Sequence, residues 1–261
     1  MEFEIIDFHM HPFTEKTDNV CQHKDYFNMT TDEIEKTMRG VGISKICGSV
    51  IEKVENGPKN TWDIVKRCNE KALKLREYFN GFYIPGFQVH PDFIEESINE
   101  ILYMKSLGVN LMGEIVPHEN GWDDYSRPEF SEILAVAGEN DMIVNLHTKD
   151  ADIMDKVVEN HKDITFVLAH PGEFSVLMRH ISRMQKNENC YLDISGTGIF
   201  RYGVTRRLID SVGVDRILFG TDYPSCNPGM FVGGILFDTL LTDNEKEKIF
   251  AENAKKLLKL Q

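Results

Sequence analysis

Glu4-Ile5-Ile6-Asp7-Phe8-His9-Met10-His11-Pro12 is the stretch on which the reading of this chain turns. A short apolar run ends in two histidines one residue apart. Residues i and i+2 of a strand point to the same side. Two imidazoles therefore leave the strand end together, and neutral imidazole is the commonest protein metal ligand. If this is half of a metal site, other strand ends must carry the rest. The same stretch weighs against an open doubly wound sheet. That fold favours a glycine-rich phosphate loop after its first strand, and here the strand runs into His-Met-His-Pro.

Downstream, one pattern recurs: a short apolar strand, a polar loop, a helical stretch. The candidate strands are 3–8, 45–50, 84–89, 110–115, 142–146, 165–169, 190–194 and 216–219. Several are continuous apolar runs, which suits strands covered on both faces. Pro85 is an awkward fit in the third, because proline belongs at a strand start. Thr30 with Glu33, and Thr242 with Glu245, have the spacing of capping boxes that open helices. After Pro91-Asp92, the residues Phe93, Ile94, Ile98, Ile101, Leu102 and Leu107 fall near helical spacing. Ile249, Phe250, Ala254, Leu257 and Leu258 make one apolar face near the end of the chain. Eight strands alternating with helices in 261 residues is the tally of an α/β protein of the (β/α)8 TIM-barrel class. We expect one barrel domain over residues 1–261.

Composition narrows the class. A hydrophobic fraction of 41% and a charged fraction of 27% are those of an ordinary globular protein. There is no apolar stretch of membrane-spanning length, and the start, Met1-Glu2-Phe3-Glu4, is acidic where a signal peptide is basic. Five cysteines, an odd number with no CxxC pair, fit free thiols in a reducing cytoplasm. A net charge of −13 argues against nucleic acid, whose phosphates need Lys and Arg. The expected partner is a small-molecule substrate, with no membrane and no nucleic acid; a homo-oligomer is left open.

In a barrel the active site gathers at the C-terminal strand ends. Strand 1 ends in His9 and His11, strand 4 in Gly113-Glu114-Ile115, strand 5 in His147, strand 6 in His170-Pro171-Gly172, and strand 8 in Gly220-Thr221-Asp222-Tyr223-Pro224. A lone histidine at a strand end is usually structural, and a lone carboxylate is often a helix cap. Five strands each supplying a ligand type at one end are harder to explain that way. His90, after strand 3, reads as a core or substrate-facing histidine. His161 and His180 lie in helical segments and read as surface residues.

These residues resemble the amidohydrolase superfamily of metal-dependent barrels, and within it the amidohydrolase-2 branch that includes 2-amino-3-carboxymuconate semialdehyde decarboxylase. The similarity covers essentially the whole chain. Asp7-Phe8-His9-Met10-His11-Pro12 is similar to the family's first-strand motif. His147 and then His170-Pro171-Gly172 follow in the family's order, Leu192-Asp193-Ile194-Ser195-Gly196 resembles its seventh-strand signature, and Gly213 to Pro224 is the strongest match. Glu252-Asn253-Ala254 resembles its C-terminus.

The resemblance implies roles. His9, His11 and His147 hold a divalent metal, and Asp222 ligates the metal or its water and moves a proton. His170 is a second-site ligand or a free acid. Glu114 stands where binuclear relatives often carry a carboxylated lysine and can bridge two ions as a plain carboxylate. The cofactor expected is Zn²⁺ first, with Mn²⁺, Co²⁺ or Fe²⁺ as alternatives, as one ion or two. Loops supply substrate contacts: His118 and Trp122 after strand 4, and Arg201 after strand 7 as a carboxylate fork. The segment from Met10 to Met29, with His23, Tyr26 and Phe27, is a candidate lid. The function expected is a metal-dependent hydrolase of a small amide, lactone or ester. Its alternative is a lyase, a decarboxylase or hydratase, on a small carboxylated substrate. A metal-holding protein without turnover is a third reading, against which the proton-carrying Asp222 weighs.

Overall fold

The structure is a computed structural model that describes residues 3–26, 29–54 and 61–260. Eight parallel strands form one sheet in sequence order. They are β1 (Ile6–Asp7), β2 (Lys45–Gly48), β3 (Tyr83–Phe87), β4 (Leu111–Ile115), β5 (Ile143–Leu146), β6 (Thr165–Leu168), β7 (Cys190–Asp193) and β8 (Ile217–Leu218). Backbone bonds bring the last strand back to the first: Phe8 N to Phe219 O at 2.8 Å, His11 N to Tyr223 O at 2.7 Å and Asp222 N to His9 O at 2.8 Å. The helices between strands are α1 (Thr31–Gly40), α2 (Thr61–Tyr78), α3 (Ile94–Ser106), α4 (Pro128–Glu139), α5 (Ala151–Asn160), α6 (Phe174–Lys186) and α7 (Val204–Val212). α8 (Pro228–Leu236), α9 (Asp243–Glu247), a π turn (Lys248–Glu252) and α10 (Asn253–Leu258) follow β8. This is the expected (β/α)8 barrel. Among the described residues no helix is long and apolar enough to cross a membrane.

The apolar runs divide by parity. Phe166 and Leu168 of β6 point outward into the layer between sheet and helices, while Val167 points inward. The inward set includes Ile6, Cys47, Leu111, Ile143, Val167 and Leu218, closed off by Ala251 and Ala254 from the C-terminal segment. That segment starts where the sequence says: Glu245 receives the Thr242 backbone N–H at 2.9 Å and returns its own N–H to Thr242 Oγ1 at 3.3 Å. All five cysteines are free thiols.

Three local expectations shift. β1 is shorter than 3–8: residues 3–5 fall outside it, and at its far end the Asp7 carboxylate takes the N–H groups of His9 and Thr221. Pro85 lies inside β3 rather than at its start. β3 pairs with β4 only from Gly86 onward, so the missing N–H falls before that ladder begins. On α3 the buried face is Ser97, Glu100, Ile101 and Met104, and Leu102 and Leu107 face solvent. Glu100 can be buried because Lys66 Nζ (2.6 Å) and Asn69 Nδ2 (3.1 Å) satisfy its carboxylate.

Candidate metal centre

At the C-terminal end of the barrel four imidazoles converge on one carboxylate. Glu114 is buried at the end of β4. Its Oε2 lies 3.4 Å from His9 Nε2 and 3.3 Å from His11 Nε2. Its Oε1 lies 2.8 Å from His147 Nδ1 and 3.3 Å from His170 Nε2. Asp222 completes the ring, with Oδ1 3.6 Å from His11 Nε2 and 3.9 Å from His9 Nε2. The structure thus brings together all six residues expected as ligands.

The far nitrogens of three rings are fixed by other groups, which sets the tautomers. His9 Nδ1 donates to Asp193 Oδ2 at 2.9 Å, and His11 Nδ1 donates to the Ser49 carbonyl at 3.1 Å. His170 Nδ1 meets Ser195 Oγ at 3.0 Å, and that hydroxyl donates in turn to Asp193. Asp193 therefore anchors the His9 ring directly and the His170 ring through Ser195, and accepts the His170 N–H at 3.5 Å. His9 Nε2 is left buried with no hydrogen-bond partner, aimed at Glu114 and Asp222. A buried ring nitrogen with no partner, facing two carboxylates, is costly and is what a cation would satisfy. The donor set, nitrogen and oxygen with no thiolate, suits a divalent ion, and three sets of three, His9–His11–Glu114, Glu114–His147–His170 and His9–His170–Asp193, have ligand atoms close enough to share one.

Electrostatics agree with that geometry. Burial works against charge on Glu114, but His9 and His147 beside it hold its carboxyl well below the usual carboxylate range. Burial likewise opposes a charged His9 and His170. Asp193 and Glu114 outweigh it for His9, Glu114 does so for His170, and both rings lie above the usual histidine value. Burial would raise Asp193, yet His9 and the Ser195 hydroxyl hold it at about 2. Protons on these rings stand where a cation would.

Local backbone geometry supports the cluster. His170 and Asp222 both adopt left-handed conformations, φ 67° and 60°, which non-glycine residues seldom do and which gather at functional sites. A Cβ on Gly220 would come within 2.9 Å of the Cβ atoms of both His9 and Ser195, so only glycine lets β8 pass this close.

Above the cluster is a cavity of about 450 Å³, floored by His11, Glu114, His147, His170 and Asp222. Its walls carry His118 and Glu119 after β4, Lys53 after β2, and Thr17, Asn19, Gln22 and Lys24 after β1. Of the three residues expected to touch substrate, His118 alone lines it. Trp122 is buried instead against Phe130 and Tyr125, with ring centroids 5.0 and 5.8 Å away. Arg201 pairs with Glu173, lies 4.9 Å over the Phe200 ring and lines a separate surface groove. The β1 loop does form a wall, clamped at its base by Lys71 against Glu15 (2.5 Å) and Asp18 (3.3 Å). Of the aromatic residues expected on it, His23 and Tyr26 are exposed, and Phe27 lies outside the described residues. His90 is a core residue, bonded to Asn120 O and to the Asp92 N–H. His180, expected at the surface, is buried instead on the inner face of α6 with Leu177, Ile181 and Met184. That spacing, i, i+3, i+4 and i+7, was visible in the sequence. Asp193, Lys24 and Lys53 are the site residues the sequence reading did not assign.

A family model described as Amidohydrolase, of the amidohydrolase-2 type, matches residues 6–260. No curated protein matches by sequence. Solved structures do match. A TIM-barrel protein from Bordetella bronchiseptica is 18% identical, with a TM-score of 0.76 over 98% of each chain. The 2,6-dihydroxybenzoate decarboxylase from Rhizobium is 18% identical, with a TM-score of 0.75 over 98% of this chain and 99% of that one. A dihydroxybenzoic acid decarboxylase from Polaromonas sp. JS666, solved with bound manganese and 2-nitroresorcinol, is 13% identical, with a TM-score of 0.71 over 98% of this chain and 97% of that one. With the family model spanning nearly its whole length and its histidines and acids gathered at the family's end of the barrel, the chain belongs to the amidohydrolase-2 family.

Proposed function

We propose that this protein is a metal-dependent lyase that decarboxylates a small carboxylated substrate. The observation that carries the reading is the composition of the cavity: a histidine–carboxylate cluster on its floor and two cations, Lys24 and Lys53, on its walls. The fold neighbours named as decarboxylases support it. His9, His11, Glu114, His147 and His170 are the residues that would hold the metal, which supplies Lewis acidity toward substrate oxygens. Mn²⁺ joins Zn²⁺ as a leading candidate, since the Polaromonas enzyme carries manganese. The lysines hold anionic groups of the substrate over the cluster. Asp222, the more exposed carboxylate of the ring, is placed to take up a proton from solvent and give it to the substrate carbon. The C–COO⁻ bond then breaks, its electron pair stays with that carbon, and CO₂ leaves.

One observation favours a second reading, hydrolysis. Glu114 presents one oxygen to His9 and His11 and the other to His147 and His170. A carboxylate shared in this way can bridge two ions, and two-ion centres position water for attack. Asp222 then takes the proton from water and hands it to the leaving amine or alkoxide as the C–N or C–O bond breaks.

The two separate by product. The purified protein is loaded with Mn²⁺ or Zn²⁺, its metal content measured, and screened in ¹⁸O-water against small carboxylates, amides and lactones. Release of CO₂ with no ¹⁸O in the organic product supports the lyase; ¹⁸O in the product without CO₂ sinks it in favour of hydrolysis. Asp222→Asn that keeps its metal is expected to lose at least about a thousandfold in turnover, the scale of a lost proton carrier.

A further inference from the structure

The two faces of the metal cluster are built on strands that are not paired with each other in the sheet. His11 is oriented by Ser49, just past β2, and Glu114 stands on β4; β3 runs between them. Gln88, one residue past β3, spans the gap. Its side-chain Nε2 donates to Ser49 Oγ at 2.6 Å and to the Glu114 carbonyl at 2.6 Å. Its Oε1 accepts from Asn120 Nδ2, on the β4 loop, at 2.9 Å. Its backbone is clamped to α2, giving its N–H to Asn69 Oδ1 at 2.7 Å and accepting from Asn69 Nδ2 at 3.0 Å. Gln88 is 1% exposed, so every one of these bonds is made away from water.

We propose that Gln88 is a positioning residue of the metal centre, setting the distance between His11 and Glu114 through Ser49, whose carbonyl bonds the His11 ring, and through the main chain of Glu114. It reaches neither the imidazole nor the carboxylate head. It holds Ser49, whose carbonyl fixes the His11 tautomer, and the main chain of Glu114, and so helps to keep His11 Nε2 at 3.3 Å from Glu114 Oε2. The chemistry requires an amide. Two diverging N–H donors and an acceptor on one short side chain are not offered by Glu, which has no donor when ionised, or by Lys, which has no acceptor. Asparagine has the groups but is one methylene shorter.

The inference rests on the metal-centre reading, and the test keeps the two apart. Chelator-stripped wild-type protein is titrated with Co²⁺ in competition with a chromophoric chelator, and the visible Co²⁺ spectrum is recorded. A wild-type protein that binds no Co²⁺ overturns the metal-centre reading and the inference with it. With Co²⁺ bound by the wild type, Gln88→Met, similar in volume but without the polar groups, is expected to bind it about 10–100-fold more weakly, the usual cost of losing an outer partner of a metal ligand. Its Co²⁺ spectrum should shift as well. Affinity within twofold of wild type and an unchanged spectrum, with only the melting temperature of the metal-free protein lowered, would leave Gln88 a core residue and overturn the inference alone. Should Gln88→Met not fold, Ser49→Ala removes one arm of the brace and keeps the carbonyl that His11 uses. It is expected to bind Co²⁺ several-fold more weakly, and unchanged binding by it likewise overturns the inference.

Discussion

His9 and His180 are equally buried, carry the same ring and differ in everything that matters for chemistry. His180 has both nitrogens occupied: Nδ1 accepts from Arg183 Nη1 at 3.0 Å and Nε2 donates to Thr148 Oγ1 at 3.1 Å. Burial, reinforced by the Arg183 charge, pushes it down to about 3. His90 follows the same rule, with both nitrogens on the main chain and its value lowered by burial. His9 has one nitrogen on Asp193, the other on nothing, and lies above the ordinary value. Burial therefore does not mark a candidate ligand histidine. An unoccupied nitrogen facing a carboxylate does. The two groups are also linked, because Thr148 beside His147 donates to Ala169 O beside His170. His180 thus braces, from behind, the strand ends that carry two of the candidate ligands.

The comparison breaks hardest at Glu114. Glu114→Gln removes the charge that all four cluster imidazoles face. Metal affinity is expected to fall by more than the roughly 10–100-fold cost of an outer partner, read by chelator competition. In the metal-free variant, His9 and His170 should titrate lower than in the wild type, moving toward His90 and His180; NMR titration of the imidazole protons reads this directly. Rings that titrate as before would mean that Glu114 does not set them apart. Asp193→Asn is the next step down. It keeps an acceptor for His9 Nδ1 but loses the anion, so affinity should drop about 10–100-fold with the fold intact. Metal retained at wild-type affinity would show Asp193 to be structural only.

The structural group has its own signature in acid. His180 is depressed in the folded protein, so the unfolded chain takes up its proton first as pH falls. Stability is fully present above the ordinary value of 6.5 and is lost as pH drops from there toward about 3. Between pH 6.5 and pH 5 this single group removes about 2 kcal/mol. His180→Gln can still accept from Arg183 and donate to Thr148, and it does not titrate. Urea unfolding of the two proteins across that range should give a flatter profile for the variant; parallel profiles would contradict the assignment.

Which parts of this were legible follows from where the partners lie. His9, His11, Glu114, His147, His170 and Asp222 could be read because each ends an apolar strand, and a barrel puts all such ends together. The eight strands were legible for a related reason, since both faces are covered and the runs are continuously apolar. The role of Asp193 was not, although it sat in a recognised motif, because its partners His9 and His170 are 184 and 23 residues away. His180 was misplaced because it stands between Arg179 and Arg183 on its helix, and Arg183, which reads as solvent-facing, is itself buried against Asp155. Trp122 and Arg201 do not line the cavity above the cluster, because a loop's position along the chain does not say which way it folds.

His118 lies between the two groups and gives the smallest effect. It lines the cavity, sits edge-on to His147 at 5.1 Å between centroids, and is about half exposed, with a side-chain accessibility of 48%. Burial, with His147 next to it, holds it below the usual histidine value. It is therefore neutral near pH 7 and able to donate or accept a hydrogen bond. It faces no cluster carboxylate closely enough to ligate with it, and it is not locked into the core. His118→Ala is accordingly expected to keep its full metal content and its kcat, while KM rises about threefold to tenfold, the worth of one hydrogen bond of about 1 kcal/mol. A fall in metal content would move His118 into the ligand group with His147. Unchanged kinetics on a substrate found by the screen would leave it a rim residue with no part in recognition.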